Sequence, residues 1–151
     1  NEAWTEEQLI PGLAILARHG VELVEQPLPT GLDDALAEIE PPLPICADEA
    51  CHERTALSEL AERYDMINVK LDKTGGLTEA IDLTRDARER GLGIMMGCMV
   101  ATSLSMAPAV LLSGLADYVD LDGPLLLARD REPALEYRDG MVLPSKPELW
   151  G

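Results

Sequence analysis

Five short apolar runs, each closed by a charged or polar residue, recur along this chain at nearly even intervals. Residues 21–25, 43–47, 66–70, 92–96 and 118–121 read as strands. They close on Glu25, on Asp48, on Lys70, on Gly97 or Cys98, and on the segment from Asp120 to Asp122. From 25 to 48, 48 to 70, 70 to 98 and 98 to 122 the steps are 23, 22, 28 and 24 residues. That is the length of one strand, one helix and their loops. The intervening segments carry helical periodicity. Residues 9–19 end at Gly20, a plausible C-cap, and Thr5 with Gln8 resembles a capping box. Pro11 predicts a kink there or a later helix start. Residues 77–90 place Leu77, Ala80, Ile81, Thr84 and Ala87 on one face and stop at Gly91; Asp82/Arg85 and Asp86/Arg90 are spaced as surface pairs.

Strand–helix–strand repetition at this interval implies parallel strands joined by right-handed crossovers. Near-constant units suit a (β/α)8 barrel. A Rossmann-type sheet is the alternative, weakened because no GxGxxG follows any strand. Five strands fall short of the eight a barrel needs. The fold class expected is therefore α/β, the C-terminal portion of a (β/α)8 (modified TIM) barrel, about strands 4 to 8, over residues 1–151. Residues 135–143 alternate around Asp139-Gly140, a hairpin signal, and read as a tail after the last barrel unit.

Composition narrows the partners. A net charge of −16 argues against nucleic acid and anionic membranes, which require basic surface. No run of membrane-spanning length is present. Hydrophobic residues make up 46% of the chain with no Phe, so the core must be built from Leu, Ile, Val, Ala and Met. Three cysteines, Cys46, Cys51 and Cys98, form no CxxC pair and fit a reducing, cytoplasmic setting.

In a barrel, reactive groups gather where strands end. Glu25 and Asp48 close adjacent strands. Two carboxylates aimed into a barrel mouth repel unless a cation lies between them, and hard oxygen ligands suit Mg2+. Two solvated loop carboxylates are the competing reading. Lys70 closes the next strand. To act as a base it needs a pKa depressed from about 10.4 by burial or a neighbouring positive charge; an ordinary surface lysine is the alternative. Lys73 lies in the following loop and reads as structural. Alternation puts Asp120 and Asp122 on one side, suited to clamping an ammonium group, or else forming an Asx turn before Pro124. His19 at a helix end and His52 without zinc spacing carry little chemical signal. Met95, Met96 and Met99 read as packing.

Taken together, the elements Val24-Glu25-Gln26-Pro27, Ala47-Asp48-Glu49, Asn68-Val69-Lys70-Leu71-Asp72-Lys73-Thr74-Gly75-Gly76, Gly97-Cys98-Met99 and Asp120-Leu121-Asp122-Gly123-Pro124 resemble a dipeptide epimerase. The match is to the L-Ala-D/L-Glu type, in the muconate-lactonizing subgroup of the enolase superfamily, and it covers almost the whole chain. The resemblance implies Mg2+ held by Glu25 and Asp48, an acid/base lysine at Lys70, and a dipeptide ammonium bound by Asp120 and Asp122. It also implies that Cys98 lines the substrate pocket and that Glu49 orients a lysine or a ligand. It places a third metal ligand, an opposing lysine and an N-terminal capping domain upstream of residue 1. Where some relatives carry a glutamate this chain has Ala101.

The activity so implied is epimerisation of a dipeptide, as in murein peptide metabolism. It proceeds by removal of the α-proton next to a carboxylate and return of a proton to the opposite face. The expected partners are a small dipeptide and further copies of the same protein. Competing activities on the same scaffold are a cycloisomerase, an o-succinylbenzoate synthase and an N-acylamino-acid racemase, whose substrates offer no free ammonium. A non-catalytic fragment is the reading from a different class.

Overall fold

The computed structural model describes residues 1–151. Its main sheet has five strands in the order of the sequence: β1 (Val24–Glu25), β2 (Ile45–Ala47), β3 (Met66–Lys70), β4 (Gly93–Gly97) and β5 (Tyr118–Val119). β1 pairs with β2, β2 with β3 and β4 with β5, each time parallel. Sequential parallel order is the topology of part of a (β/α)8 barrel, as the spacing required.

The helices are α1 (Glu6–Arg18), α2 (Leu57–Leu60), α3 (Leu71–Thr74), α4 (Leu77–Glu89) and α5 (Ser103–Leu112). None is long and apolar enough to cross a membrane. α1 corrects the expectation drawn from Pro11: it starts earlier, at Glu6, and stays helical through the proline. Pro11 is exposed in the second turn, where its ring costs one backbone bond and no core contact. Gln8 Oε1 accepts the Thr5 N–H at 2.9 Å at the start of the helix, and the Thr5 side chain faces the Gln8 backbone N–H in return, the expected capping box.

Two strands begin later than their apolar runs, for one shared reason. After α1, Gly20 adopts φ +74°; its N–H reaches the Ala17 carbonyl at 3.2 Å and the Val21 N–H reaches Leu16 at 3.1 Å. After α4, Gly91 adopts φ +81°, with Gly91 bonded to Arg88 at 3.0 Å and Leu92 to Ala87 at 3.1 Å. Both are Schellman closures, which commit the first apolar N–H after the glycine to the preceding helix. β1 and β4 can therefore start only further on. β2 starts after Pro44, which has no N–H to give a ladder.

The buried face of α4 is Ala80, Leu83, Thr84 and Ala87, whereas Leu77 and Ile81 are exposed. Thr84 satisfies its buried hydroxyl on the Ala80 carbonyl at 2.7 Å. Asp86 meets Arg54 at 3.4 Å, while Arg90 reaches the Asp86 carbonyl oxygen and not its carboxylate. At the C-terminus β6 (Tyr137–Arg138) and β7 (Met141–Val142) pair antiparallel. Asp139 at φ +52° and Gly140 at φ +77° form the two-residue turn expected of Asp-Gly.

The chain divides into two compact units. The first comprises 1–68 with 85–94, and its core holds Leu9, Leu13, Ile45, Leu57 and Ile67. The second comprises 69–84 with 95–151 and is built on Val69, Leu83, Met96, Met106 and Ala107. Aliphatic and thioether side chains thus do the work that Phe does elsewhere. Ile67 on β3 is fully buried. Ile67→Ala in the full-length protein is expected to cost about 2–5 kcal/mol, read as a shift in the denaturant midpoint.

Candidate functional site

Within the first unit the candidate residues are Glu25, Asp48 and Asn68. Glu25 ends β1 and is half-buried. Asp48 follows β2 and is 3% exposed. Asn68, on β3, donates its Nδ2 to Glu25 Oε1 at 2.5 Å and is 2% exposed. Its other polar atom, Oδ1, is buried with no hydrogen-bond partner. An amide oxygen left bare in a buried place is costly unless something electropositive meets it. Asp48 Oδ2 accepts from Asn1 Nδ2 at 2.7 Å, and the same amide reaches Glu49 at 3.2 Å.

These are oxygen donors throughout, which fits a hard cation such as Mg2+ and not a soft metal. The fit is in kind and not in number, since no three His, Cys, Asp or Glu side chains of this chain group to hold a metal ion.

Asp48 owes its place to Gln26. This residue is fully buried and has φ +34°, a left-handed conformation few non-glycine residues adopt. Its Oε1 accepts the backbone N–H of Asp48 at 3.0 Å and of Ala50 at 3.1 Å. Its Nε2 donates to the Leu28 carbonyl at 3.0 Å and to the Tyr64 hydroxyl at 2.7 Å. Tyr64 in turn donates to Asp33 at 2.5 Å, and Arg63 meets Asp33 at 3.0 Å. Burial first, and the Asp33 hydrogen bond next, push the Tyr64 phenol far above its usual range.

Within the second unit, Lys70 ends β3 half-buried, and Cys98 follows β4, also half-buried. Asp120 and Asp122 flank the buried Leu121 after β5. These four groups sense one another. Burial pushes the Cys98 thiol up; the Gly123 N–H bonded to it opposes that, the Asp120 and Asp122 charges reinforce it, and Lys70 opposes it. Burial also raises Asp120, followed by the Asp122 charge and a hydrogen bond that protonated Asp120 donates to the Asp122 carboxylate, while Lys70 and the Asp122 backbone N–H pull it down. Two adjoining carboxylates with one raised pKa form a place that gains from an added cation. Asp120 and Asp122 also line a cavity of about 620 Å³ shared with Leu125, Tyr137 and Met141.

The loop of Asp120 and Asp122 is held from two sides. Gly123 packs so closely that a Cβ there would lie 2.5 Å from the Met99 carbonyl oxygen and 3.2 Å from Cys98 Sγ. Tyr137, on β6, donates its hydroxyl to the Leu121 carbonyl at 2.7 Å. Asp130 caps α5 by accepting from the Ser103 N–H at 3.0 Å and from the Ser103 hydroxyl, which also receives the Leu135 N–H at 2.9 Å.

Glu25 and Lys70 thus end strands, and Asp48, Glu49, Cys98, Asp120 and Asp122 lie in the segments that follow strands; Lys73, read from the sequence as a loop residue, lies instead in α3. Sequence reasoning missed the supports: Gln26, Asp33, Tyr64, Asn68 and Tyr137. Gln26 and Asn68 lie inside the motifs Val24-Glu25-Gln26-Pro27 and Asn68-Val69-Lys70, and a polar residue inside an apolar strand was a usable signal. Asp33, Tyr64 and Tyr137 gave none, because their partners are distant in sequence. His19 lies at the end of α1 and His52 is exposed.

Comparison with known proteins agrees with this fold. Residues 1–148 match the family described as enolase C-terminal domain-like. An N-acetyl-D-glutamate racemase from Pseudoalteromonas sp is 49% identical over all of this chain and 48% of its own length. The L-Ala-D/L-Glu epimerase of Escherichia coli (strain K12) is 50% identical over 93% of this chain and 44% of its own. Among solved structures, an enolase family member from Agrobacterium tumefaciens with homology to dipeptide epimerases, holding sodium and L-Ala-L-Glu, superposes with TM-score 0.97. It is 52% identical over 100% of this chain and 46% of its own. A dipeptide epimerase from Cytophaga hutchinsonii, complexed with Mg and D-Ala-L-Val, gives TM-score 0.85 at 27% identity over 94% of this chain and 41% of its own. The chain therefore spans about half the length of the curated relatives it matches.

Gly123→Ala is expected to displace the segment from Asp120 to Asp122 and to destabilise by about 1–3 kcal/mol. Thermal unfolding reads the cost, and the alkylation rate of Cys98 reads the displacement. The Tyr137 phenol, raised to about 12 first by burial and then by the Cys98, Asp130 and Asp122 charges, ionises later folded than unfolded. Its contribution to stability is therefore complete below pH 10 and lost as pH rises through about 12. Tyr137→Phe should flatten that part of the stability–pH curve, measured by denaturant titration across the alkaline range.

Proposed function

The chain belongs to the enolase C-terminal domain-like family, and from that premise we propose that the protein carrying it is a metal-dependent dipeptide epimerase of the L-Ala-D/L-Glu type. The observation that supports this most directly is the Asp120–Asp122 pair, two carboxylates acting on each other beside Lys70. A free α-ammonium is the group such a pair takes best, and a dipeptide supplies one.

Each residue then has a task. Asp120 and Asp122 bind the ammonium and fix the dipeptide's direction. Glu25 and Asp48 would hold a divalent cation, Mg2+ by the chemistry of their oxygens, with Asn68 keeping Glu25 in place. When bound, that cation supplies positive charge to the substrate carboxylate, which makes the adjacent α-proton easier to remove. Lys70 takes the proton at its Nζ or returns it, and the developing enediolate is planar at the α-carbon. A second acid/base group acting from the other face inverts the centre. Cys98 walls the pocket beside the ammonium site, and Glu49 orients a neighbouring polar group. The proposed setting is turnover of murein peptide in a reducing, cytoplasmic compartment; three cysteines without a disulfide are in keeping with it.

A second reading is favoured by the Pseudoalteromonas relative, named for a substrate whose nitrogen is acetylated. The two readings part at the aspartate pair. In the full-length protein with Mg2+, solvent deuterium should enter L-Ala-L-Glu at its α-carbon, and Asp120→Asn with Asp122→Asn should raise KM for the dipeptide. Exchange into N-acetyl-glutamate but not the dipeptide would reverse the assignment. Lys70→Ala should abolish exchange, a loss of at least about 10²–10⁴-fold for an acid/base group. Activity retained in that variant removes Lys70 from the mechanism.

A further inference from the structure

The buried amide of Gln26 uses its full hydrogen-bonding capacity, two bonds donated and two accepted. A glutamine amide can sit either way round, so something must choose. Asp33 chooses. Its carboxylate is paired with Arg63 at 3.0 Å and can only accept, so the Tyr64 hydroxyl must donate to it. With its proton spent, the Tyr64 oxygen must accept, and the group that gives to it is Gln26 Nε2. That turns Gln26 Oε1 toward the N–H groups of Asp48 and Ala50. Reversed, the amide would set NH2 against the Asp48 and Ala50 N–H groups and oxygen against the Leu28 carbonyl and the Tyr64 oxygen, leaving all four partners unpaired. Every link of this chain is buried or nearly so: Gln26 at 0%, Asp33 at 1% and Tyr64 at 4% exposure.

We infer that Asp33, Tyr64 and Gln26 form a directional hydrogen-bond relay that sets the position of the Asp48 carboxylate for metal binding. Gln26 also follows Glu25 directly, so one residue fixes the backbone of both proposed ligands. Its N–H is bonded to the Cys46 carbonyl at 2.8 Å, which locks Glu25 and Asp48 into one register. The left-handed backbone of Gln26 is the cost of aiming its side chain across to the loop after β2. None of the three is among the proposed metal ligands or substrate contacts; they are positioning residues. The inference rests on the reading of Glu25 and Asp48 as metal ligands.

The test is Mn2+ binding to the metal-free, full-length protein, with free Mn2+ followed by electron paramagnetic resonance well below the melting temperature. Tyr64→Phe removes one hydroxyl and keeps the ring, and should weaken Mn2+ binding about tenfold. Gln26→Leu should weaken it more, up to about 100-fold. Because Tyr64 acts through Gln26, the double variant should bind no worse than Gln26→Leu alone. Leu112→Ala, a core change on α5 away from the relay, should lower the melting temperature and leave Mn2+ affinity as in the wild type. If Gln26→Leu does not fold, Tyr64→Phe decides alone. A folded Tyr64→Phe with unchanged affinity, or effects that add in the double variant, overturns the relay while the metal reading stands. A wild-type protein that binds no Mn2+ overturns both.

Discussion

Parallel pairing between consecutive strands is the constraint from which the rest follows. A parallel ladder requires each strand to run the same way, so every crossover returns the chain to the same starting end. The residues after each strand are then loop residues of one kind, freed from core packing and open to chemistry. Glu25, Asp48, Lys70, Cys98 and the Asp120–Asp122 segment all occupy this position. The opposite strand ends hold Pro44, Leu92 and the Schellman closures, which are connections only. Charged loops and core are thus separated along each strand by a few residues, and the chain can carry charged groups without exposing its core.

Charge is handled differently in the two halves. In the first, carboxylates are surrounded by donors: Glu25 receives Asn68, Asp48 receives Asn1, and Asp33 receives Tyr64 and Arg63. In the second, Asp120 and Asp122 stand against each other with Lys70 as the moderating cation. The first arrangement stiffens carboxylates that must keep a fixed geometry. The second keeps an electrostatic deficit in reserve, which a positively charged ligand can relieve. The same residue type therefore serves two ends, and its surroundings decide which.

Much of this could be read from the sequence, and the limits have physical causes. Strand existence and order follow from apolar runs and their spacing, a local signal, and β3 was legible to the residue. Strand starts were not legible at β1 and β4, because a glycine in a left-handed conformation commits the following N–H to the helix behind it. Pro11 was misleading because a proline's cost depends on whether its turn is solvated. The positions of the candidate residues were legible as polar breaks at strand ends. Their supports were not, since Asp33 and Tyr64 act across 31 residues and Tyr137 across 16, and no periodicity encodes such pairs.

The saturated amide at position 26 has a consequence for what sequence can tolerate there. A side chain in that slot must offer two protons at one end and two lone pairs at the other, on a two-carbon stem. Glutamate has the length but no protons to give. Asparagine has the group but falls a methylene short, and histidine divides one donor from one acceptor on a rigid ring. Of the twenty amino acids only glutamine meets the requirement. The spelling of the Val24-Glu25-Gln26-Pro27 segment is thus dictated by hydrogen-bond arithmetic at its third letter, independently of the acid beside it.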